Sequence, residues 1–89
     1  MFETQISKGV KYLDEDLGPN WPERISLDEL DMVDCLYCVI GQLYGEYFEH
    51  MQSFDGTPLG FDLIGSGYDI LTAEWKAKIV QLRAERKAK

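Results

Sequence analysis

Apolar residues at three- and four-residue spacing fill three stretches of this 89-residue chain, and that periodicity commits it to helices packed on one another. The strongest stretch is 33–52. Val33, Leu36, Tyr37, Ile40, Leu43, Tyr44, Tyr47, Phe48 and Met51 keep the i, i+3, i+4, i+7 pattern of a buried face throughout. It reads as the central core helix. Gly41 and Gly45 sit inside it, each at a cost of about 1 kcal/mol relative to alanine, which implies the close approach of another backbone. At about 100° per residue, Cys38, Gly41 and Gly45 share one side, a shallow groove of small residues into which a helix or an extended segment can nest.

Phe2, Ile6, Val10, Leu13 and Leu17 form a second stripe, predicting a helix over 2–16 that Gly18 and Pro19 terminate. Residues 20–24 connect, with Trp21 held extended by Pro22 and its ring sealing the core edge. Ser26 and Glu29 have capping-box spacing, so a helical turn is expected after Ser26. Residues 53–68 carry four glycines and a proline and read as a long loop anchored by Phe54, Leu59, Phe61 and Ile64. The third stripe, Leu71, Trp75, Ile79 and Leu82, predicts a helix over 70–87 capped by Asp69 or Thr72, with a polar, fraying basic end over 78–89. The expected architecture is one all-α domain over residues 1–89. Three main helices, a short helical turn and one ordered loop form a bundle around Trp21, Leu36, Ile40, Leu43, Tyr47, Trp75 and Ile79.

Nine Lys or Arg against sixteen Asp or Glu give a net charge of −7, which disfavours direct binding to a phosphate backbone. The charge is uneven. Residues 76–89 hold six cations against Glu85, a net of +5, which leaves −12 on residues 1–75. Cations gather at a helix C-terminus because the macrodipole favours them there; the sharper readings are a handle for an acidic partner, or tail-to-body self-association. Nothing resembles a targeting segment or a membrane span, so no membrane association is expected and the cytoplasm, with reduced thiols, is the expected location.

Cys35-Leu36-Tyr37-Cys38 is the one chemical motif with any pull. A C-x-x-C means thiol redox, half a zinc site, or two small packing residues. Asp34 as a helix cap would place both sulfurs near a dipole that lowers their pKa, whereas the carboxylates of Asp28, Glu29, Asp31 and Asp34 would raise it. Those four acids lack the central glycine of a calcium loop and read as a solvated, helix-stabilising face. His50 lies twelve residues beyond Cys38, about 18 Å along a continuous helix, too far to share a metal. A zinc site would need four cysteines across a homodimer. His50 alone reads as a solvated or capping residue, and no catalytic triad, dinucleotide fingerprint or phosphate-cradling loop is present. Catalytic and metal residues and cofactors are therefore expected to be none, and the thiol candidates are Cys35 and Cys38.

The chain resembles a family of small uncharacterised proteins of actinobacteriophages and actinobacterial genomes. The resemblance covers most of the length. It rests on Tyr12-Leu13-Asp14-Glu15, Trp21, Arg24-Ile25, Leu30-Asp31, and above all Cys35-x-x-Cys38-Val39-Ile40-Gly41-Gln42-Leu43-Tyr44-Gly45. Gly60-Phe61 and Tyr68-Asp69 ahead of Leu71-Thr72-x-x-Trp75 complete it. The family supplies no activity and no functional residues, but it implies a phage-encoded or prophage-derived protein acting in the bacterial host cytoplasm. The leading expectation is a non-catalytic interaction module that binds or modulates a host protein, as a monomer or a homodimer. One variant is mimicry of nucleic acid by the acidic body, which the basic tail opposes. The alternative is thiol or zinc chemistry at Cys35 and Cys38.

Overall fold

The computed structural model describes residues 1–51, 56–63 and 66–87. Phe54, Ile64, Lys89 and the side chain of Phe48 lie outside the described residues. The fold is all-α, with no strand among the described residues: α1 spans Glu3–Leu17, α2 Val39–Tyr44, α3 Tyr47–His50 and α4 Tyr68–Lys87, with 3-10 turns at Trp21–Arg24 and Thr57–Leu59.

The outer helices follow their stripes. Ile6, Val10 and Leu13 of α1 and Leu71, Trp75, Ile79 and Leu82 of α4 are buried, and Gly18 ends α1 at φ 86° as expected. The two helices run in the same direction. The Phe2 amide donates to Glu74 (2.8 Å) near the start of both, while Arg86 holds Asp14 at the other end. α4 begins at Tyr68, two residues earlier than expected. Thr72 lies inside it rather than capping it, donating to the Tyr68 carbonyl and accepting from the Met32 amide.

Trp75 occupies the centre. Its ring stacks on Phe61 (centroids 5.8 Å apart) and meets Trp21 edge to face (6.3 Å), and its Nε1–H donates to the Gly60 carbonyl at 2.6 Å. Such aromatic pairs add about 0.5–1.5 kcal/mol each beyond the area they bury. Trp21 does more than seal an edge, for it is fully buried with Nε1 donating to Asp14. The same carboxylate takes two bonds from Arg86, and Arg83 donates to the carbonyls of Pro22 and Ile25. Two of the six cations at the basic end thus fasten α4 to the body and are not free handles for a partner.

The middle of the chain departs from its periodicity. Residues 33–52 do not form one helix, and Val33, Leu36 and Tyr37, expected in the core, are 64%, 51% and 43% exposed. Aspartate side chains compete for the backbone here. Asp31 accepts from the Val33 amide and Asp34 from those of Leu36 and Tyr37, closing local turns in place of helical bonds. Cys38 is extended (φ −71°, ψ 173°), so α2 starts only at Val39, and Gly45 at φ 107° stops it. Ile40, Leu43, Tyr47 and Met51 are buried as expected, the first three from two short helices and Met51 from the turn just past α3, so that together they keep the helical count.

Close backbone approach at Gly41 is real, but it comes from the preceding turn and not from another helix. A Cβ there would lie 2.5 Å from the Cys35 carbonyl oxygen and 2.6 Å from that of Leu36. Gly45, by contrast, has open space around it and serves the chain reversal. Ser26 and Glu29 do not build a helix either. Residues 27–29 form a turn, and the Gln42 side-chain amide brackets the Ser26 backbone, accepting its N–H at 2.6 Å and donating to its carbonyl at 3.2 Å.

Candidate functional site

The turn over 31–38 is tied down on every side. The Met32 amide bonds Thr72 of α4 (2.9 Å), the Cys35 carbonyl accepts from Tyr47 of α3 (2.9 Å), and the Tyr37 carbonyl accepts from Gln42 of α2 (3.0 Å). Met32 and Cys38 point into the core while Val33, Leu36 and Tyr37 face solvent, so a fixed turn displays three large apolar side chains. Singly exposed apolar residues are ordinary; three within five residues on a braced turn are not.

Beside the turn lies a pocket of about 130 Å³. The turn contributes Met32, Val33, Asp34, Cys35 and Cys38, and Tyr47, Phe61, Asp62 and Tyr68 close the other side. Asp62 is held in place by the Tyr68 hydroxyl (2.5 Å), the Leu63 amide (2.8 Å) and, more loosely, the Tyr47 hydroxyl (3.4 Å). The hydrogen bond to Asp62 raises the Tyr68 phenol, which keeps that hydroxyl a donor. Neither Asp62 nor Tyr68 stands out in the sequence as a partner of the cysteines. They sit six residues apart across a glycine-rich segment, and only the folded loop brings them to the turn.

Cys35 and Cys38 both line this pocket, and both thiols are free. Cys38 is 2% exposed, and its Sγ accepts the Gly41 amide at 3.2 Å, acting as the N-cap of α2. Burial pushes the Cys38 thiol up despite that hydrogen bond. Desolvation, followed by the Glu46 carboxylate, raises Cys35. Asp34 caps the turn itself and not a helix carrying both sulfurs; only Cys38 meets a helix N-terminus, and burial outweighs the amides there. A raised pKa opposes nucleophilic and metal-binding thiolate.

Cys38→Ala should therefore cost roughly 1–2 kcal/mol in urea unfolding through loss of a cap, whereas Cys35→Ala stays within about 0.5 kcal/mol. In native protein iodoacetamide should label Cys35 faster than Cys38, with a rate that climbs only above the ordinary thiol range. Equal costs for the two variants, or labelling that saturates near neutral pH, would contradict a structural cap beside an unactivated thiol.

The other candidates are not assembled into a site. Asp28 and Glu29 are exposed, Asp31 and Asp34 bind backbone amides of their own turn, and no group of three metal-capable side chains occurs among the described residues. His50, half-buried in the last turn of α3, has its ring engaged by two tyrosines rather than left to solvent. It stacks on Tyr44 (centroids 3.6 Å apart), and its Nε2 pairs with the Tyr12 hydroxyl at 2.8 Å, while Tyr44 donates to Asp16. This cluster staples α3 to α1. A larger pocket, about 260 Å³, lies between α1 and α4, lined by Glu3, Ser7, Glu74, Lys78 and Gln81 among others, with no grouping of reactive side chains.

No helix among the described residues is long and apolar enough to cross a membrane. Comparisons with protein-family models, curated proteins and solved structures each find no match to this chain.

Proposed function

We propose that this chain is a non-catalytic interaction module of phage or prophage origin that binds a host protein in the bacterial cytoplasm through the 31–38 turn. The observation that carries the reading is the display of Val33, Leu36 and Tyr37 on a turn braced by α2, α3 and α4. A surface already fixed in its bound shape loses little conformational entropy on association, and exposed apolar side chains of this size supply the area to be buried. The resemblance to actinobacteriophage proteins supports the setting. The thiol and zinc alternative is weakened by Cys38, whose sulfur is buried and already accepts a hydrogen bond, and by the upward shift of both thiols.

The test compares the wild-type chain with a Val33→Ser, Leu36→Ser, Tyr37→Ser variant as bait in actinobacterial lysate. Substituting exposed side chains should shift the unfolding midpoint little. A defined host protein should be retained by the wild type and reduced at least about tenfold by the variant, a difference of about 1.4 kcal/mol in binding. No protein distinguishing the two baits would overturn the reading. Native mass spectrometry under reducing conditions supplies the second arm, with metal-free chain expected and one zinc per dimer favouring the alternative.

A further inference from the structure

We propose that the pocket beside the turn receives a lysine or arginine side chain of the partner protein, an inference that rests on the interaction reading and names the partner's chemistry. About 130 Å³ is the scale of a single long side chain, close to the roughly 150 Å³ of an engineered cavity that admits benzene. Its buried walls, Met32, Cys38, Tyr47 and Phe61, are apolar and suit a methylene stem. Two carboxylates, Asp34 and Asp62, line it, and no cation does.

No lysine or arginine forms an ion pair with Asp34 or Asp62 among the described residues, so the charge of both faces the pocket uncompensated by a cation. Asp62 is also fixed by two tyrosine hydroxyls and a backbone amide, so it is positioned before anything binds. A negative pocket with apolar walls, set beside three exposed apolar side chains, complements a protein surface on which a cationic residue stands among apolar ones. A nucleic acid or an anionic membrane has the opposite charge requirement. A divalent ion is poorly served, because two of the lining groups are protonated thiols and no three-ligand cluster forms among the described residues.

Short peptides Ac-Ala-Leu-X-Leu-Ala-NH₂, with X lysine, arginine, citrulline or glutamate, probe the pocket through backbone amide shifts in NMR. The lysine and arginine peptides should shift residues 32–38 and 61–63 saturably by about 5 mM, with citrulline at least roughly tenfold weaker and glutamate inactive. Asp34→Asn keeps the one oxygen its local hydrogen bonds use, and Asp62→Asn keeps the oxygen that takes Tyr68 and Leu63 and gives up only the long bond from Tyr47. Each should weaken the cationic peptides about tenfold, as should raised salt, while the protein stays folded at the assay temperature.

Equal binding of lysine and citrulline peptides, shifts elsewhere on the surface, no shift with any peptide, or tighter saturation of the same residues by Ca²⁺ or Mg²⁺ overturns the proposal. The same two asparagine variants as lysate bait separate it from the broader reading. Capture lost with the triple serine variant but kept with both asparagine variants removes the cation pocket and leaves the interaction surface. Capture unaffected by all of them removes both. Sedimentation of the chain alone should show a monomer, since a concentration-dependent dimer broken by Asp62→Asn would assign the pocket to the basic end of a second copy.

Discussion

Gly9→Ala should destabilise the protein by roughly 3 kcal/mol or more, although helix propensity alone favours alanine by about 1 kcal/mol at an interior helical position. The reversal comes from a backbone contact. A Cβ on residue 9 would lie 2.1 Å from the Leu59 carbonyl oxygen and 3.2 Å from the rings of Phe61 and Trp75. Leu59 belongs to a 3-10 turn closed by bonds from the Leu59 and Phe61 amides to the Gly56 carbonyl, so its oxygen cannot retreat without opening those bonds. Either α1 moves off the loop or the loop comes off the core. For a chain of this size 3 kcal/mol lowers the melting temperature by roughly 12–24 °C. Lys8→Ala, one position away and exposed, should change it little and serves as the control. A Gly9→Ala protein melting at or above the wild type would show that α1 and the loop do not pack as described.

Gly9 also shows where sequence reading stops. The stripe Phe2, Ile6, Val10, Leu13, Leu17 locates α1, because burial of one helical face leaves a signal in residue spacing. A glycine between Lys8 and Val10 leaves none, since what makes it necessary is a carbonyl fifty residues away. The all-α class, both outer helices and the burial of Trp21, Trp75 and Ile79 were legible for the same reason as the stripe.

The turn over 31–38 was misread for the opposite reason. Its apolar residues keep helical spacing, but Asp31 and Asp34 cap amides two and three residues ahead, and that local competition outweighs periodicity. Two aspartates at such spacing ahead of a C-x-x-C were a usable warning. The same misreading hid the candidate site. Val33, Leu36 and Tyr37 looked like core until the helix beneath them dissolved, and Asp62 and Tyr68 reach the pocket only through a loop whose path no local pattern encodes. Cys35 and Cys38, the residues the sequence singles out, both line the pocket. Their surroundings make one a helix cap and leave the other an unactivated thiol.

Trp75 links that loop to the core, and its substitutions should separate packing from hydrogen bonding. Trp75→Ala removes the stack on Phe61, the edge contact with Trp21 and the donor to Gly60 together, and should cost about 3–5 kcal/mol. That is a large part of the roughly 4–13 kcal/mol available to a chain of 89 residues. Trp75→Phe keeps a ring against Phe61 but withdraws the N–H from a buried carbonyl, which should cost about 2–3 kcal/mol.

Guanidinium unfolding with near-ultraviolet circular dichroism should therefore rank wild type above Trp75→Phe above Trp75→Ala. The phenylalanine variant should also exchange the amides of Phe61 and Leu63 faster, because the Gly60 anchor next to them has lost its donor. That local loosening bears on the proposed binding pocket, since Phe61 and Asp62 form one wall of it. Cationic-peptide binding should weaken in Trp75→Phe by more than its global stability loss alone implies at temperatures where it is fully folded. A Trp75→Phe protein within about 0.5 kcal/mol of the wild type would mean that the indole N–H is not what holds Gly60, and that the pocket wall is fixed by Phe61 stacking alone.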